Sequence, residues 1–187
     1  MKKLCLLLIA LSCLALLTAC GGSQPEDPLG LPNPMTETNE AALVAEAQLF
    51  LPAPPDAENV TYYLLETEGA DPIGEMRFTL DGREAVLRAQ RTDLGELTLS
   101  DEDVEAIVRG ERELDLPGDI SGLYYDWEAA GTAIVKERPA YWKICGDLGL
   151  AAWTDAGTLY NLILTSGADQ ETLLDLAERA FVSVTDK

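Results

Sequence analysis

The sequence predicts an α+β domain with an antiparallel sheet of about six to seven strands. An N-terminal and a C-terminal helix are expected to pack on one face of this sheet, and a short helix is inserted between strands. Two observations lead to this fold class. Apolar residues recur at helical spacing near residues 39–51 and 169–182. The chain between them consists of short β-rich runs separated by turn signals, so residues 39–187 form a single predicted domain.

The first helix is predicted to begin after Asn39, whose side chain is a good N-cap. It is predicted to end before Pro52, because the residue that precedes a proline avoids the helical region. The side of this helix that should lie on the sheet is formed by Leu43, Ala47 and Phe50.

A strand is predicted over residues 60–66, and the strongest hairpin signal, Asp81-Gly82, then separates strands 73–80 and 83–90. A two-residue loop sets Leu80 opposite Arg83. The alternation of apolar and polar residues survives this pairing, which predicts an antiparallel hairpin with one buried face. The residues on that face are Met76, Phe78, Ala85 and Leu87.

The short inserted helix is predicted from the cap Ser100, with Asp103 in the capping-box position, to Gly110. Three further strands are expected at residues 120–127, 131–137 and 141–145.

The last hairpin pairs residues 150–154 with residues 158–164. Matching their apolar faces requires Trp153 opposite Tyr160, which either a two-residue or a four-residue loop provides. The final helix is predicted over about residues 169–182. Its buried stripe is expected to be Leu173, Leu174, Ala177, Ala180 and Phe181.

The first 19 residues have the pattern of a secretory leader, with two lysines, an apolar segment and small residues at the end. The apolar segment, residues 4–17, has 14 residues, whereas a membrane-spanning helix needs roughly 20. The stretch Leu17-Thr18-Ala19-Cys20 resembles the lipobox of bacterial lipoproteins of the Gram-positive type. This resemblance implies cleavage between Ala19 and Cys20 and attachment of lipid to Cys20, which would anchor the chain to the extracytoplasmic face of the cell membrane.

Residues 20–38 are predicted to be the lipidated cysteine and a flexible tether, because prolines at 25, 28, 32 and 34 block helices and sheet ladders. Cleavage would remove 19 of the 187 residues and leave 168, enough for one domain with a substantial core. The two leader lysines would leave while all 33 acidic residues stay, so the mature charge becomes −22. A surface that acidic repels nucleic acid and anionic head groups, so only the lipid on Cys20 should contact the membrane.

The residue types also exclude several kinds of chemistry. The chain has no histidine, which excludes Ser-His-Asp and Cys-His mechanisms. Only Cys145 remains beside Cys20 after cleavage, which excludes a cysteine-rich zinc site. Asp101-Glu102-Asp103 lacks the spacing of an EF-hand and is better explained as a helix N-terminus. We therefore expect no catalytic residue, no metal and no cofactor.

Aromatic residues concentrate in the second half of the chain. Most are explained as core, but Tyr124 is predicted to face away from it, and so must one of Tyr141 and Trp142. If these side chains meet, they form an exposed strip for glycan, peptide or apolar ligand contact. The alternative is that a second layer covers them.

Several short motifs resemble uncharacterised exported lipoprotein domains of Gram-positive bacteria. The closing hairpin and helix are similar in Trp153-Thr154-Asp155, Gly157, Tyr160 and Leu162, and Ile120-Ser121-Gly122-Leu123-Tyr124-Tyr125 and Asn33-Pro34-Met35 also match such domains. The resemblance implies an exported domain without an established activity, and Cys20 is the only functional residue that it carries over.

These observations favour a non-enzymatic binding or interaction module of the cell envelope, with an envelope protein or other ligand as its partner. Two alternatives stay open. A carrier of lipid or another apolar ligand would need a deep apolar pocket under one of the helices. A carboxylate-based cell-wall hydrolase would need two carboxyl groups about 5–10 Å apart in a cleft.

Cys20→Ala should abolish lipid labelling and membrane retention, because the chain has no other anchor that its sequence predicts. Metabolic labelling with a fatty acid, followed by membrane fractionation, measures both. Unchanged membrane retention would contradict the anchor.

Overall fold

The computed structural model describes residues 35–66, 71–92, 100, 102–103, 106, 109, 111 and 128–181. Of these residues, 51% lie in strands and 19% in helices. The strands are β1 (Thr36–Thr38), β2 (Glu58–Leu65), β3 (Ile73–Leu80), β4 (Arg83–Arg91), β5 (Ala129–Val135), β6 (Arg138–Cys145), β7 (Leu148–Asp155) and β8 (Thr158–Leu164). They form one antiparallel sheet in the order β1-β2-β3-β4-β8-β7-β6-β5. The helices are α1 (Glu40–Ala47) and α2 (Gln170–Ala180).

The predicted fold class was wrong: the described residues form a largely β fold with eight strands, rather than six to seven strands between an N-terminal and a C-terminal helix. The additional strand β1 precedes α1 and pairs with β2, with Thr36 opposite Leu64. The first helix is also shorter than predicted. Gln48 adopts a left-handed backbone conformation (φ 55°) that ends α1, and the fully buried Leu49 and Leu51 follow outside the helix.

Tight turns set the register of the sheet. Two-residue turns join β3 to β4, β5 to β6, β6 to β7 and β7 to β8. In three of them both turn residues have positive φ, which matches the twist of the flanking strands. The predicted pairings of Leu80 with Arg83 and of Trp153 with Tyr160 are confirmed, the second through a two-residue loop.

One face of the sheet is covered by α1, the segment that follows it, and α2. The predicted face of the β3–β4 hairpin lies in this core. At the centre, the ring of Trp153 stacks on Tyr160 with centroids 5.7 Å apart and on Phe181 with centroids 5.2 Å apart. Both helices begin at an N-cap, of which the one at Asn39 was predicted. The side chain of Asn39 accepts a hydrogen bond from Ala42 N at 3.1 Å, and Asp169, the N-cap of α2, accepts one from Thr172 N at 2.8 Å.

Two glycines in the strands allow the helical layer to lie close to the sheet. A Cβ atom on Gly149 would lie 2.7 Å from Ala168 Cβ and 3.2 Å from the Leu173 side chain. A Cβ atom on Gly74 would lie 3.0 Å from the Leu51 side chain. The distance between the layers therefore depends on the absence of a side chain at these positions.

The predicted inserted helix is described in part. Glu102, Asp103 and Ala106 are helical. Ser100 Oγ accepts a hydrogen bond from Asp103 N at 3.1 Å, and Ser100 N donates one to Asp103 Oδ2 at 3.2 Å, which confirms the predicted capping box. The predicted strand 120–127, the leader and Cys20 lie outside the described residues. None of the described helices is both long enough and apolar enough to span a membrane.

Gly149→Ala should lower the free energy of unfolding by about 1–3 kcal/mol, because the new methyl group overlaps Ala168 and pushes the start of α2 off the sheet. Chemical denaturation followed by tryptophan fluorescence measures this loss. Adding Ala168→Gly should restore part of it, since that change removes the overlapping atom. Unchanged stability of Gly149→Ala would contradict the close packing of the two layers.

Candidate functional site

The face of the sheet opposite the helices has a row of mainly polar side chains across its middle. Strand pairing places the members of this row side by side from β2 to β5: Tyr63, Glu75, Arg88, Asn161, Ala152, Tyr141 and Thr132. The three at the centre, Glu75, Arg88 and Asn161, are at most 3% exposed. This second face is therefore buried at its centre, and its polar groups are removed from water.

Two arginines neutralise Glu75. Its Oε2 accepts a hydrogen bond from Arg88 Nε at 2.8 Å, and its Oε1 accepts one from Arg77 Nε at 2.5 Å. The Arg77 guanidinium also lies 5.0 Å from the centroid of the Tyr63 ring. Glu75 and Arg88 face each other on β3 and β4, so a slip of either strand would leave a buried charge without its partner.

Asn161 lies beside this ion pair on β8. It is fully buried, and neither Oδ1 nor Nδ2 has a hydrogen-bond partner. An unsatisfied buried polar group costs roughly 1–3 kcal/mol. Asn161 therefore lowers the stability of the folded chain, and its contacts do not explain why an asparagine stands at this position.

The structure describes two of the three residues predicted to contact a ligand, Tyr141 and Trp142. Tyr141 lies on the second face, 8% exposed, with the Arg109 guanidinium 5.7 Å from its ring centroid. Trp142 lies half-buried on the helix side, where its ring occupies the space beside Gly131. Adjacent residues of a strand point to opposite faces, so the two side chains are separated by the sheet. Tyr124 lies outside the described residues, and its ligand contact stays a prediction.

Two grooves bordering the helix side bear on the alternative functions. One, of about 240 Å³, is lined by Val44, Leu49, Phe50, Arg91 and Tyr160, among others. The other, of about 250 Å³, is lined by Asp81, Arg83, Glu171, Asp175 and Arg179, among others. Both are smaller than the roughly 300–1,000 Å³ of typical ligand pockets, and both contain charged side chains. Neither groove resembles the deep apolar pocket that a lipid carrier needs.

Two titratable groups at these grooves, Asp81 and Tyr160, are poorly suited to acid–base catalysis. A hydrogen bond from Arg179 holds the pKa of Asp81 below its usual value, so this carboxylate stays ionised and is a poor general acid. Burial raises the pKa of Tyr160 to about 12. Among the described residues, no three acidic or cysteine side chains lie close enough together to hold a metal ion.

The two edges of the sheet differ in their protection. β1 has three residues and includes the exposed Glu37. β5 has seven residues, no charge and no proline, and its Ile134 is 71% exposed. Proteins usually blunt exposed edges with short strands, charges or prolines, because an open edge pairs with other strands. By this criterion β5 is an open edge, and it is our candidate site.

The turn at Lys136-Glu137 determines which backbone groups of β5 face outward. A two-residue turn makes Val135 and Arg138 a hydrogen-bonded pair, and this pattern repeats at every second residue along β5. The intervening residues therefore direct N–H and C=O away from β6, and no described residue bonds these groups. These residues are Ala130, Thr132 and Ile134.

Sequence reasoning predicted a strand at residues 131–137 but missed its position at the edge of the sheet. A signal was present, because residues 129–135 form an uncharged run between Glu128 and Lys136 in a strongly acidic chain. Comparison with protein-family models, with curated proteins and with solved structures found no match to this chain.

Asn161→Leu should leave the free energy of unfolding unchanged or raise it by up to about 2 kcal/mol, because it replaces unsatisfied polar atoms with apolar ones. Glu75→Gln, in the same buried row, should lower it by about 3 kcal/mol, because two arginines lose their carboxylate. Urea denaturation of both variants gives the comparison. A loss for Asn161→Leu as large as that for Glu75→Gln would contradict the unsatisfied state of Asn161.

Proposed function

We propose that this chain is a lipid-anchored lipoprotein of the extracytoplasmic face of the cell membrane. Its folded part is a non-enzymatic interaction module that takes up an extended strand of a protein partner at the β5 edge. The anchor is supported by the resemblance of Leu17-Thr18-Ala19-Cys20 to a lipobox. The binding role is supported above all by one observation, the open edge of β5.

Strand addition uses the backbone groups that the edge already presents. An antiparallel strand laid along β5 would pair with the outward N–H and C=O groups of Ala130, Thr132 and Ile134, two hydrogen bonds for each residue. Each such bond contributes a net of about 0.5–1.5 kcal/mol. The sheet fixes these groups in strand geometry before the partner arrives, which limits the entropy lost on binding.

Apolar contact adds to the backbone bonds. Ile134 is 71% exposed, and a side chain opposite it would remove this surface from water. Full burial of an isoleucine side chain is worth about 1.5–3 kcal/mol. Ala130 and Thr132 are also exposed and share the second face with Ile134. A partner strand with small or apolar residues at alternate positions fits this edge.

The anchor and the module act together. Lipid on Cys20 would hold the domain at the membrane, and two or more acyl chains suffice for stable attachment without a basic surface. The part of residues 20–38 that precedes β1 would set the distance between membrane and domain, and the mature charge of −22 would keep the domain off an anionic surface.

Thr132→Pro should abolish binding of the partner protein, because proline removes the central outward N–H of β5. The bonds from β5 to β6 stay intact, since the Thr132 N–H is not part of that ladder. The matched control is Thr132→Ser, which keeps the N–H and should bind as the wild type does.

The measurement is co-purification of the full chain, extracted from membranes in mild detergent, with an envelope protein identified by mass spectrometry. The partner strand can come from any chain of the envelope, including another copy of this one. Thermal unfolding confirms that both variants fold. Equal recovery of the partner with folded Thr132→Pro and with Thr132→Ser would contradict strand addition at β5.

A further inference from the structure

We infer that the strand which completes the β5 edge belongs to β5 of a second copy of this chain. Two sheets would then join edge to edge about a twofold axis. This inference rests on the proposed strand addition at β5 and names its partner. It is carried by the register, the side-chain sizes and the charges of residues 128–136.

One register satisfies every outward-facing group. A twofold axis at Thr132 sets this residue opposite its own copy and sets Ala130 opposite Ile134 on both sides. All three residues with outward N–H and C=O groups are then paired, which gives six hydrogen bonds between the strands. If the axis lay at Gly131, Ala130 would pair with Thr132 and Ile134 would face Glu128, outside β5. If it lay at Ala133, Thr132 would pair with Ile134 and Ala130 would face Lys136, also outside β5. The sequence thus makes β5 complementary to itself in a single register.

Side-chain sizes agree with this register. Ala130, Thr132 and Ile134 all point to the second face, so cross-strand neighbours meet there. The register sets the small Ala130 beside the large Ile134 and avoids placing two isoleucines opposite each other. It also pairs Thr132 with Thr132, a cross-strand combination that favours strand pairing through the hydroxyl groups.

The same register brings opposite charges together at both ends of the strand. Glu128 and Lys136 are each four residues from Thr132, so Glu128 of one copy lies at the same end as Lys136 of the other. Within one copy, the side chains of Glu128 and Lys136 make only weak contacts. Glu128 Oε2 accepts a hydrogen bond from Gly146 N at 3.3 Å, and Lys136 Nζ lies 3.7 Å from Glu178 Oε1 at the surface. Exposed contacts of this kind are worth little and are easily exchanged.

The wider charge distribution also favours this edge as the contact between copies. The chain as a whole has a net charge of −20. Residues 128–145, which form the edge hairpin, contain three basic side chains, Lys136, Arg138 and Lys143, against two acidic ones, Glu128 and Glu137. Arg138 forms an ion pair with Asp155 of the next strand and Lys143 is buried, so the edge hairpin is close to neutral rather than strongly acidic. Two acidic copies that approach through this hairpin therefore meet less repulsion than through an average surface.

Cysteine cross-linking in membranes tests the register. In the full chain with Cys145→Ala, Thr132→Cys should give a disulfide-linked dimer when diamide oxidises the two thiols. A hydrogen-bonded antiparallel pair has Cα atoms about 5.5 Å apart, within the range that a disulfide spans. Ala130→Cys alone should give no dimer above the Cys145→Ala background, whereas Ala130→Cys expressed together with Ile134→Cys should link the two chains.

Charge exchange tests the pairing without a covalent bond. Thr132→Lys and Thr132→Glu should each weaken self-association of the detergent-solubilised full chain about tenfold or more, because like charges face each other on the axis. An equal mixture of the two variants should recover the dimer, measured by sedimentation. Recovery by mixing also shows that each variant is folded.

Two results would overturn the inference. One is a Thr132→Cys chain that gives no dimer above background in membranes that contain it. The other is a wild-type chain that sediments as a monomer at every concentration. A different envelope protein can then still co-purify with the wild-type chain and be lost with Thr132→Pro. In that case the proposed strand addition at β5 stands, and only the identification of the partner as a second copy is wrong.

Discussion

The register of the antiparallel strands is the constraint on which the rest of the structure depends. Two-residue turns fix it, and a slip by one residue would exchange the two faces of a strand. On β3 and β4 such a slip would move Met76 and Leu87 out of the core beneath the helices and carry Glu75 and Arg88 into it. The same constraint decides which backbone groups of β5 face outward. The hairpin geometry that stabilises the fold therefore also builds the candidate site.

Local features of this fold follow from the sequence, and the arrangement of its strands does not. The β3–β4 and β7–β8 pairings and the cap Asn39 depend on residues close together in the chain, so turn and capping chemistry predicts them. β1 was missed because three residues carry little strand signal and the partner strand is distant in sequence. Strand alternation predicts that Tyr141 and Trp142 point to opposite faces. The burial of Tyr141 beside Arg109, by contrast, depends on a segment that is distant in sequence. The position of β5 at the edge follows from the pairing of β4 with β8, which no local pattern encodes.

Both faces of the sheet are buried at their centres, and this directs attention to the edges. The helix side is filled by residues such as Trp153 and Tyr160, while the other side holds the Glu75–Arg88 ion pair. Binding along β5 leaves both of these interiors undisturbed, so the domain can associate without rearrangement of its core. A lipid anchor would add to this by confining copies to one membrane plane and raising their effective concentration. A modest strand-to-strand contact then suffices for association.

The most direct test of the account is residue-resolved amide hydrogen exchange along β5 at low and high protein concentration. In dilute protein the account predicts alternation, with slow exchange at Gly131, Ala133 and Val135, which bond to β6, and fast exchange at the outward-facing Ala130, Thr132 and Ile134. The second set should become slow as concentration rises, while the first set changes little. Slow exchange at all six positions in dilute protein, or fast exchange of the outward-facing set at every concentration, would contradict an open edge that pairs with a second copy.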